Sequence, residues 1–429
     1  MDIQVIEVRL WGKRVGAVAP DPRLGCYVFA YEPAWRRSGI ELSPLVMPLN
    51  DDRQRFAFPE LAELSYKRLP GLLADALPDD FGNALIDAWM SAKGVDKSAV
   101  TTLDRLAYMG RRGMGALEFK PARGAHRESV EPLGIKSLVE SARRVLHGDL
   151  SGDVQAQAAL ANIIRVGTSA GGARAKAVVA WNPETDQIRS GQFDAAPGFE
   201  HWLLKFDGVG KDSELGGSAD YGRIEYAYHL MAKASGIQMS PCRLLEESGR
   251  AHFMTRRFDR DVVNGLTLKH HVQTLCALSH IDYRQRATHA YAQLFLAIVK
   301  LDLGDEALGQ AFLRMAFNVM AKNCDDHSKN FAFRLKQGET WELAPAYDVT
   351  HAYNPKGEWT YQHLLGVNGK FSGITGADLL LEADRFGVRR PRDVLKDVRA
   401  ALQSWPEFAR QAGLKGKVID EIRADFELV

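Results

Sequence analysis

The sequence predicts an α+β fold of two lobes, β-rich towards the amino terminus and all-helical towards the carboxy terminus. Three observations predict it. Apolar residues alternate at strand period among Val5, Val8, Leu10, Val15, Ala17 and Val18, and again in 26–30, 177–181, 201–206 and 242–255. Ala307, Leu308, Ala311, Phe312, Met315, Ala316, Val319 and Met320 instead recur three and four apart, one stripe of a helix. That helix runs into 323–348, NCDDHSKNFAFRLKQGETWELAPAYD, which reads as two polar turns separated by a short hairpin.

At 429 residues the chain has length for two or three domains and a sizeable core. The expected divisions are 1–121, strands followed by helices; 122–260, a loop of small residues, a strand carrying a lysine and a crossing segment; and 261–429, helices with two polar loops. Lys and Arg total 55 against 54 Asp and Glu, so the whole-chain charge does not mark a nucleic-acid binder. Cys26, Cys242, Cys276 and Cys324 are scattered without metal-ligand spacing, as suits a reducing compartment. MDIQVIEVRL opens with an acid and alternates like a strand, unlike a signal peptide, and no apolar run is long enough to span a bilayer. A cytoplasmic protein without a membrane partner is expected.

In chain order, a strand pair turns at Gly12-Lys13 and a third strand covers 26–30. Helical patterns follow Pro59, interrupted at Pro78-Asp79-Asp80. The Gly-x-Gly cluster in MGRRGMGALEF, 109–119, reads as a structural turn into a strand, not as a nucleotide cradle. A polar linker at 122–130 precedes a helical pattern over 137–161, and then comes IIRVGTSAGGARAKAVVAW, 163–181. Its small residues let backbone N–H groups approach anionic oxygens, so the loop can cover phosphates. It is no Walker A loop, because Ala173-Arg174 follow Gly172 where that motif has Lys and Ser/Thr. A ligand-free small-residue hairpin also fits.

HWLLKF, 201–206, is an apolar strand with Lys205 inside it; a lysine there loses solvation unless an anion compensates. A helix over 222–234 carries Glu225 near its start, where an acid also suits the helix dipole. Strands about Ser248-Gly249 lead to Arg256-Arg257-Phe258-Asp259, a crossing between lobes. Phosphoryl transfer needs a carboxylate to orient and deprotonate the attacking hydroxyl, and hard oxygen ligands to hold magnesium on the nucleotide phosphates. Asp325, Asn330 five positions on, and Asp348 past the hairpin supply these: Asp325 as base, Asn330 and Asp348 as metal ligands. Taken alone, that spacing also fits ordinary Asp and Asn turns. The serial order, small-residue loop, lysine strand, glutamate helix, strand pair, crossing, base loop and metal loop, is that of a two-lobed protein-kinase-like fold with a glycine-rich loop in its β-rich lobe.

With VRLWGKRVGAV, LPDDFGNALI, GMGALEF, SAGGARAK, HWLLKF, RRFDR, NCDDHSKNFAF, LAPAYDV and VNGKFSG, the chain resembles the HipA family of toxin kinases from bacterial type II toxin–antitoxin systems over nearly its whole length. The resemblance implies a Ser/Thr kinase that uses ATP and Mg2+. It implies that Gly171, Gly172, Ala173, Arg174, Ala175, Lys176, Lys205, Arg256, Arg257, Phe258, His327, Ser328, Lys329, Asn330, Tyr347 and Asp348 surround the nucleotide; the order of a strand lysine and then an early-helix glutamate, as in kinases, has Glu225 supporting Lys205. It further implies autophosphorylation on Ser169, a small helix-turn-helix antitoxin that carries the toxin to operator DNA, and an aminoacyl-tRNA synthetase as protein substrate. Two departures stand out: Arg256 replaces an acid usual at the crossing, and LKHHVQTLCALSH, 268–280, replaces a stretch that normally carries Gln-Glu-Asp. Adjacent His270 and His271 point to different faces, which favours packing over metal binding.

The cluster Arg385, Arg389, Arg390 and Arg392 offers contacts to DNA phosphates in an antitoxin complex, or a solvated helix start. Two other function classes remain open: a metal-dependent phosphohydrolase built on Asp325, Asp326 and His327, and a catalytically silent module of an antitoxin–DNA complex.

Overall fold

The computed structural model describes residues 3–123, 132–146, 163–164, 175–209 and 220–429. Most of the expected linker, the second half of the helical pattern at 137–161, and the small-residue loop with Ser169, Gly171, Gly172, Ala173 and Arg174 lie outside them. The chain divides into two compact units, one of 1–210, 254–273 and 335–339, the other of 211–253, 274–334 and 340–429.

In the first unit, alternation in the opening residues produces an antiparallel sheet in the order Cys26–Tyr31, Lys13–Asp21, Ile6–Leu10, Glu118–Lys120. Ile6, Val8 and Leu10 face the core on alternate positions, as the pleat requires. Gly16 allows the neighbouring strand close, since a Cβ there would lie 2.2 Å from the carbonyl oxygen of Ala30. The helix Asp80–Ser91 starts at Asp79, whose carboxylate accepts the Gly82 N–H, and Thr102–Met109 starts with a Thr101–Asp104 capping box.

The glycine cluster at 113–115 is a structural turn, as its sequence suggests. Gly115 has φ +74° and its N–H donates to Asp259 at 2.7 Å. Arg260 donates to the carbonyls of Gly113 and Gly115 at 2.9 and 2.7 Å, and Arg257 and Arg260 both pair with Asp259. Burial opposes charge on Asp259, but the two guanidiniums hold its carboxyl well below the usual range.

Lys176–Trp181 pairs antiparallel with both Ile188–Ser190 and Glu200–Lys205. Asn264-Gly265 turns a hairpin of Arg260–Val263 and Leu266–Lys269. His270 and His271 diverge, one ring meeting Asp261 at 2.8 Å and the other the carbonyl of Leu42 at 3.0 Å, so both are packing residues.

The second unit is built on Tyr221–Ala234, Tyr291–Lys300, Gly304–Met320, Gly376–Arg385, Pro391–Gln403, Trp405–Gln411 and Gly416–Ala424. Tyr228 is fully buried among Phe317, Trp405 and Phe426, and its hydroxyl donates to the carbonyl of Ala321 at 2.6 Å. That bond fixes the end of the helix that leads to the polar turns. The expectation of an all-helical carboxy-terminal part is corrected. Leu266–Lys269, His271–Thr274, Ala332–Leu335, Trp341–Leu343 and Leu365–Gly366 are strands within 261–429. The hairpin strands are expected from alternation, and the same physical reason, period-two burial, makes a strand of His271–Thr274, where buried His271 and Gln273 alternate with half-buried Val272 and Thr274, a pattern that no helix face can satisfy.

Candidate active site

The helix Gly304–Met320 ends at Ala321, and the chain enters the first polar turn with its backbone pinned. Asn323 N–H donates to the carbonyl of Asn318 at 3.0 Å, and Cys324 N–H to that of Ala352 at 2.9 Å. Asp325 then turns outward, its side chain 40% exposed while that of Asp326 is 0% exposed. Trp359 Nε1 donates to Asp325 Oδ1 at 3.2 Å, and His327 Nε2 lies 3.7 Å from the same oxygen. Surrounding protein raises the Asp325 pKa; His327 and the Trp359 hydrogen bond oppose the rise, and the charges of Asp348 and Asp326 add to it. A carboxylate made less acidic in this way is a better proton acceptor.

Asn330 closes a short 3-10 turn, Ser328–Asn330, and its Nδ2 donates to the carbonyl of Asp325 at 2.7 Å. The amide oxygen is thereby left as the atom that Asn330 can offer a cation. The second polar turn is tied to the first, because the Tyr347 hydroxyl donates to the carbonyl of Lys329 at 2.5 Å. Arg314, from the middle of Gly304–Met320, donates to the carbonyl of Ala344 at 2.9 Å, and Ala346 N–H donates to the carbonyl of Gln238 at 2.8 Å. Asp348 emerges from this brace with φ +52°, a left-handed conformation that a non-glycine residue adopts at a cost of roughly 1–2 kcal/mol. The structure thus brings Asp325, Asn330, Tyr347 and Asp348 together in the second unit. Of their neighbours, Ser328 is buried with its hydroxyl donating to the carbonyl of Ile281, and Lys329 Nζ sits 4.5 Å from the centre of the Tyr283 ring.

Sequence reasoning gave Asp326 no place in the leading arrangement. Its Oδ2 accepts from the Tyr291 hydroxyl at 2.7 Å and faces His363 Nδ1 at 2.9 Å, while Oδ1 accepts the Leu364 N–H at 2.8 Å. Burial works against a charged His363, yet Asp326, with Cys324 behind it, pushes its pKa up to about 10. A carboxylate with both oxygens engaged inward is poorly placed to bind a metal, which counts against the hydrolase built on Asp325, Asp326 and His327. The Asp-Asp doublet was the only signal in the sequence.

The first unit holds the lysine and crossing candidates. Lys176 and Lys205 are register partners on adjacent antiparallel strands, and both are buried. Directly paired residues project to the same face, and two like charges there destabilise a sheet unless anions balance them. Ala175 is buried, its carbonyl accepting the Phe206 N–H at 3.0 Å. Arg256 lies 3.6 Å from Glu200, Arg257 is held in the Asp259 cluster with its N–H on the carbonyl of His201, and Phe258 is half-buried. Glu225 is buried on the helix Tyr221–Ala234 of the second unit. Arg385, Arg389 and Arg390 face Glu382, Asp305 and Asp393 at 3.2, 2.6 and 2.7 Å, and Arg392 is exposed.

Comparison with known proteins extends this picture. Comparison with curated proteins returned no match. Among solved structures, the chain is similar to HipA of Shewanella oneidensis MR-1, solved with HipB and its operator DNA, at a TM-score of 0.64 and 16% identity. That likeness covers 98% of this chain and 95% of the other. The proinflammatory kinase CtkA of Helicobacter pylori aligns at a TM-score of 0.34 and 12% identity, over 54% of this chain and 90% of its own. Residues 6–120 match the model of the HipA N-terminal domain, and residues 168–414, more than half of the chain, match that of the HipA-like C-terminal domain. With a mixed α/β fold that follows the Shewanella structure almost end to end and family matches in both its parts, the chain belongs to the HipA family.

Proposed function

We propose that this HipA-family chain is a protein Ser/Thr kinase that uses ATP and Mg2+ and serves as the toxin of a toxin–antitoxin module. The observation that carries the reading is the second-unit arrangement. One outward carboxylate, Asp325, sits between the buried side chains of Asn323, Cys324 and Asp326, next to an amide and a carboxylate braced by Tyr347 and Arg314. Asp325 orients the acceptor hydroxyl and takes its proton. Asn330 and Asp348 offer hard oxygens, the donor type that magnesium takes, so the residues fit that ion. Bound magnesium would supply charge neutralisation on the nucleotide phosphates.

Lys176 and Lys205, buried register partners on adjacent strands, would meet the phosphates, with Glu225 supporting Lys205. The remaining assignments rest on the family. Gly171, Gly172, Ala173, Arg174 and Ala175 would form the phosphate loop, Ser169 its autophosphorylation site, Arg256, Arg257 and Phe258 the crossing, and His327, Ser328 and Lys329 the nucleotide's other flank. The partner would be a helix-turn-helix antitoxin with its operator DNA. The Shewanella relative was solved with HipB and operator DNA, which supports that choice. Arg385, Arg389, Arg390 and Arg392 would meet phosphates of that DNA. The substrate would be a component of translation such as an aminoacyl-tRNA synthetase, in the cytoplasm. Among the described residues, no helix is long and apolar enough to cross a membrane.

The test contrasts two carboxylates. Asp325→Asn should slow phosphate transfer by about a hundredfold or more while ATP binding stays intact, the scale of a missing general base. Asp348→Ala should instead weaken magnesium-dependent ATP binding in calorimetry. Full turnover by the first variant, or unchanged affinity in the second, would remove that residue from its role.

A further inference from the structure

Asp325 is the one residue of its turn that faces out; Asn323, Cys324 and Asp326 on either side are all buried. Their inward side chains close a ring. Asn323 Nδ2 donates to Asn318 Oδ1 at 2.9 Å, and Asn318 Nδ2 donates to Tyr291 Oη at 3.0 Å. Tyr291 Oη donates to Asp326 Oδ2 at 2.7 Å, an oxygen that also meets His363 Nδ1 at 2.9 Å. His363 Nε2 returns to the turn, 3.8 Å from Cys324 Sγ. The ring therefore leaves the turn at 323 and re-enters it at 324 and 326, gripping the backbone on both sides of Asp325.

Three elements anchor the ring. Asn318 belongs to the helix Gly304–Met320, Tyr291 begins the helix Tyr291–Lys300, and His363 precedes the strand Leu365–Gly366. The last two are joined, because His289–Ala290 pairs in parallel with Leu365–Gly366. This gives a role to the segment that leads from His363 into Gly366.

Apolar side chains of the same volume would fill this space at least as stably, since a buried ion pair seldom adds stability over a hydrophobic replacement. The ring is hydrogen-bonded throughout except at Asn323 Oδ1, which is buried without a partner, and what such a polar network adds is a single geometry. We propose that Asp326, His363 and Tyr291 are positioning residues that hold Asp325 where it must meet the acceptor hydroxyl. The inference rests on Asp325 being the proton acceptor, as proposed above. Misplacement of a reacting group by about 1 Å can cost roughly a hundredfold in rate.

A built-in reporter separates this inference from the kinase reading. The Trp359 indole donates to Asp325 Oδ1, so its N–H cross-peak in a 1H–15N spectrum, assigned with Trp359→Phe, records where that carboxylate lies. Asp325→Ala sets the position of the peak without its partner. His363→Asn, which keeps a donor near Nδ1 but no charge, and Tyr291→Phe, which removes one hydroxyl, are the two mild variants. In both, the peak should move towards its Asp325→Ala position.

Transfer from labelled ATP, to the chain itself and to myelin basic protein as a generic acceptor, should fall about tenfold or more, with KM for ATP within about twofold. Neither change should slow transfer further in an Asp325→Ala background, because residues that act as a unit are not additive. A peak that stays at its wild-type position in both variants would overturn the inference, as would full transfer rates despite a moved peak. If the peak moves and the wild-type chain transfers no phosphate, the positioning ring stands and the kinase reading falls.

Discussion

Asp325, Asn330 and Asp348 stand out in the sequence because their relation is local: five residues and one hairpin separate them, and turn-forming types at such spacing are visible by eye. Tyr291 and His363 do not, although each bonds Asp326 directly. They lie 35 and 37 residues from it, and a contact of that range leaves no period in the chain. His363 also makes stability depend on pH. Its folded-state pKa is raised from 6.5 to about 10, so its pairing with Asp326 contributes fully below about pH 6.5 and is lost as pH rises towards 10. Urea unfolding at pH 7 and pH 10 should therefore show a larger alkaline loss of stability in the wild-type chain than in His363→Asn. Equal losses would place the His363 charge elsewhere.

Among elements, the strands at the amino terminus, the lysine strand and the hairpin after the first polar turn follow from alternation alone. The helix stripe from Ala307 to Met320 was legible too, but only as one face. In the structure Leu313, Arg314, Phe317 and Asn318 are buried as well, so the second half of that helix is enclosed on all sides. Arg314 and Asn318, polar and inward, break the amphipathic pattern because they brace the polar turns, and a stripe drawn from apolar residues passes over them. The helix Tyr221–Ala234 offers a test at this scale. Gly222 packs so close to the strand Arg250–Arg256 that a Cβ would lie 2.0 Å from the carbonyl oxygen of Ala251. Gly222→Ala should cost about 1–3 kcal/mol, the usual penalty of overpacking, read as a lower urea midpoint. A variant as stable as the parent would contradict that close approach.

For the whole molecule, composition excludes little beyond a strongly charged nucleic-acid binder, and the balance of 55 basic against 54 acidic residues says nothing of partners. Serial order says more. A phosphoryl-transfer site needs its parts in a workable sequence, so weak local signals reinforce one another when they occur in that sequence. The family matches in both parts of the chain bear out the resemblance to the HipA family. The central claim is that the outward carboxylate of an otherwise inward-facing turn accepts a proton from a protein hydroxyl during transfer from ATP. Its most direct test follows γ-labelled ATP with magnesium, the full-length chain and a bacterial extract, comparing wild type with Asp325→Asn. Label should appear on protein serine or threonine with the wild type and drop about a hundredfold with the variant. Label released only as free phosphate, or left entirely in ATP, would contradict it.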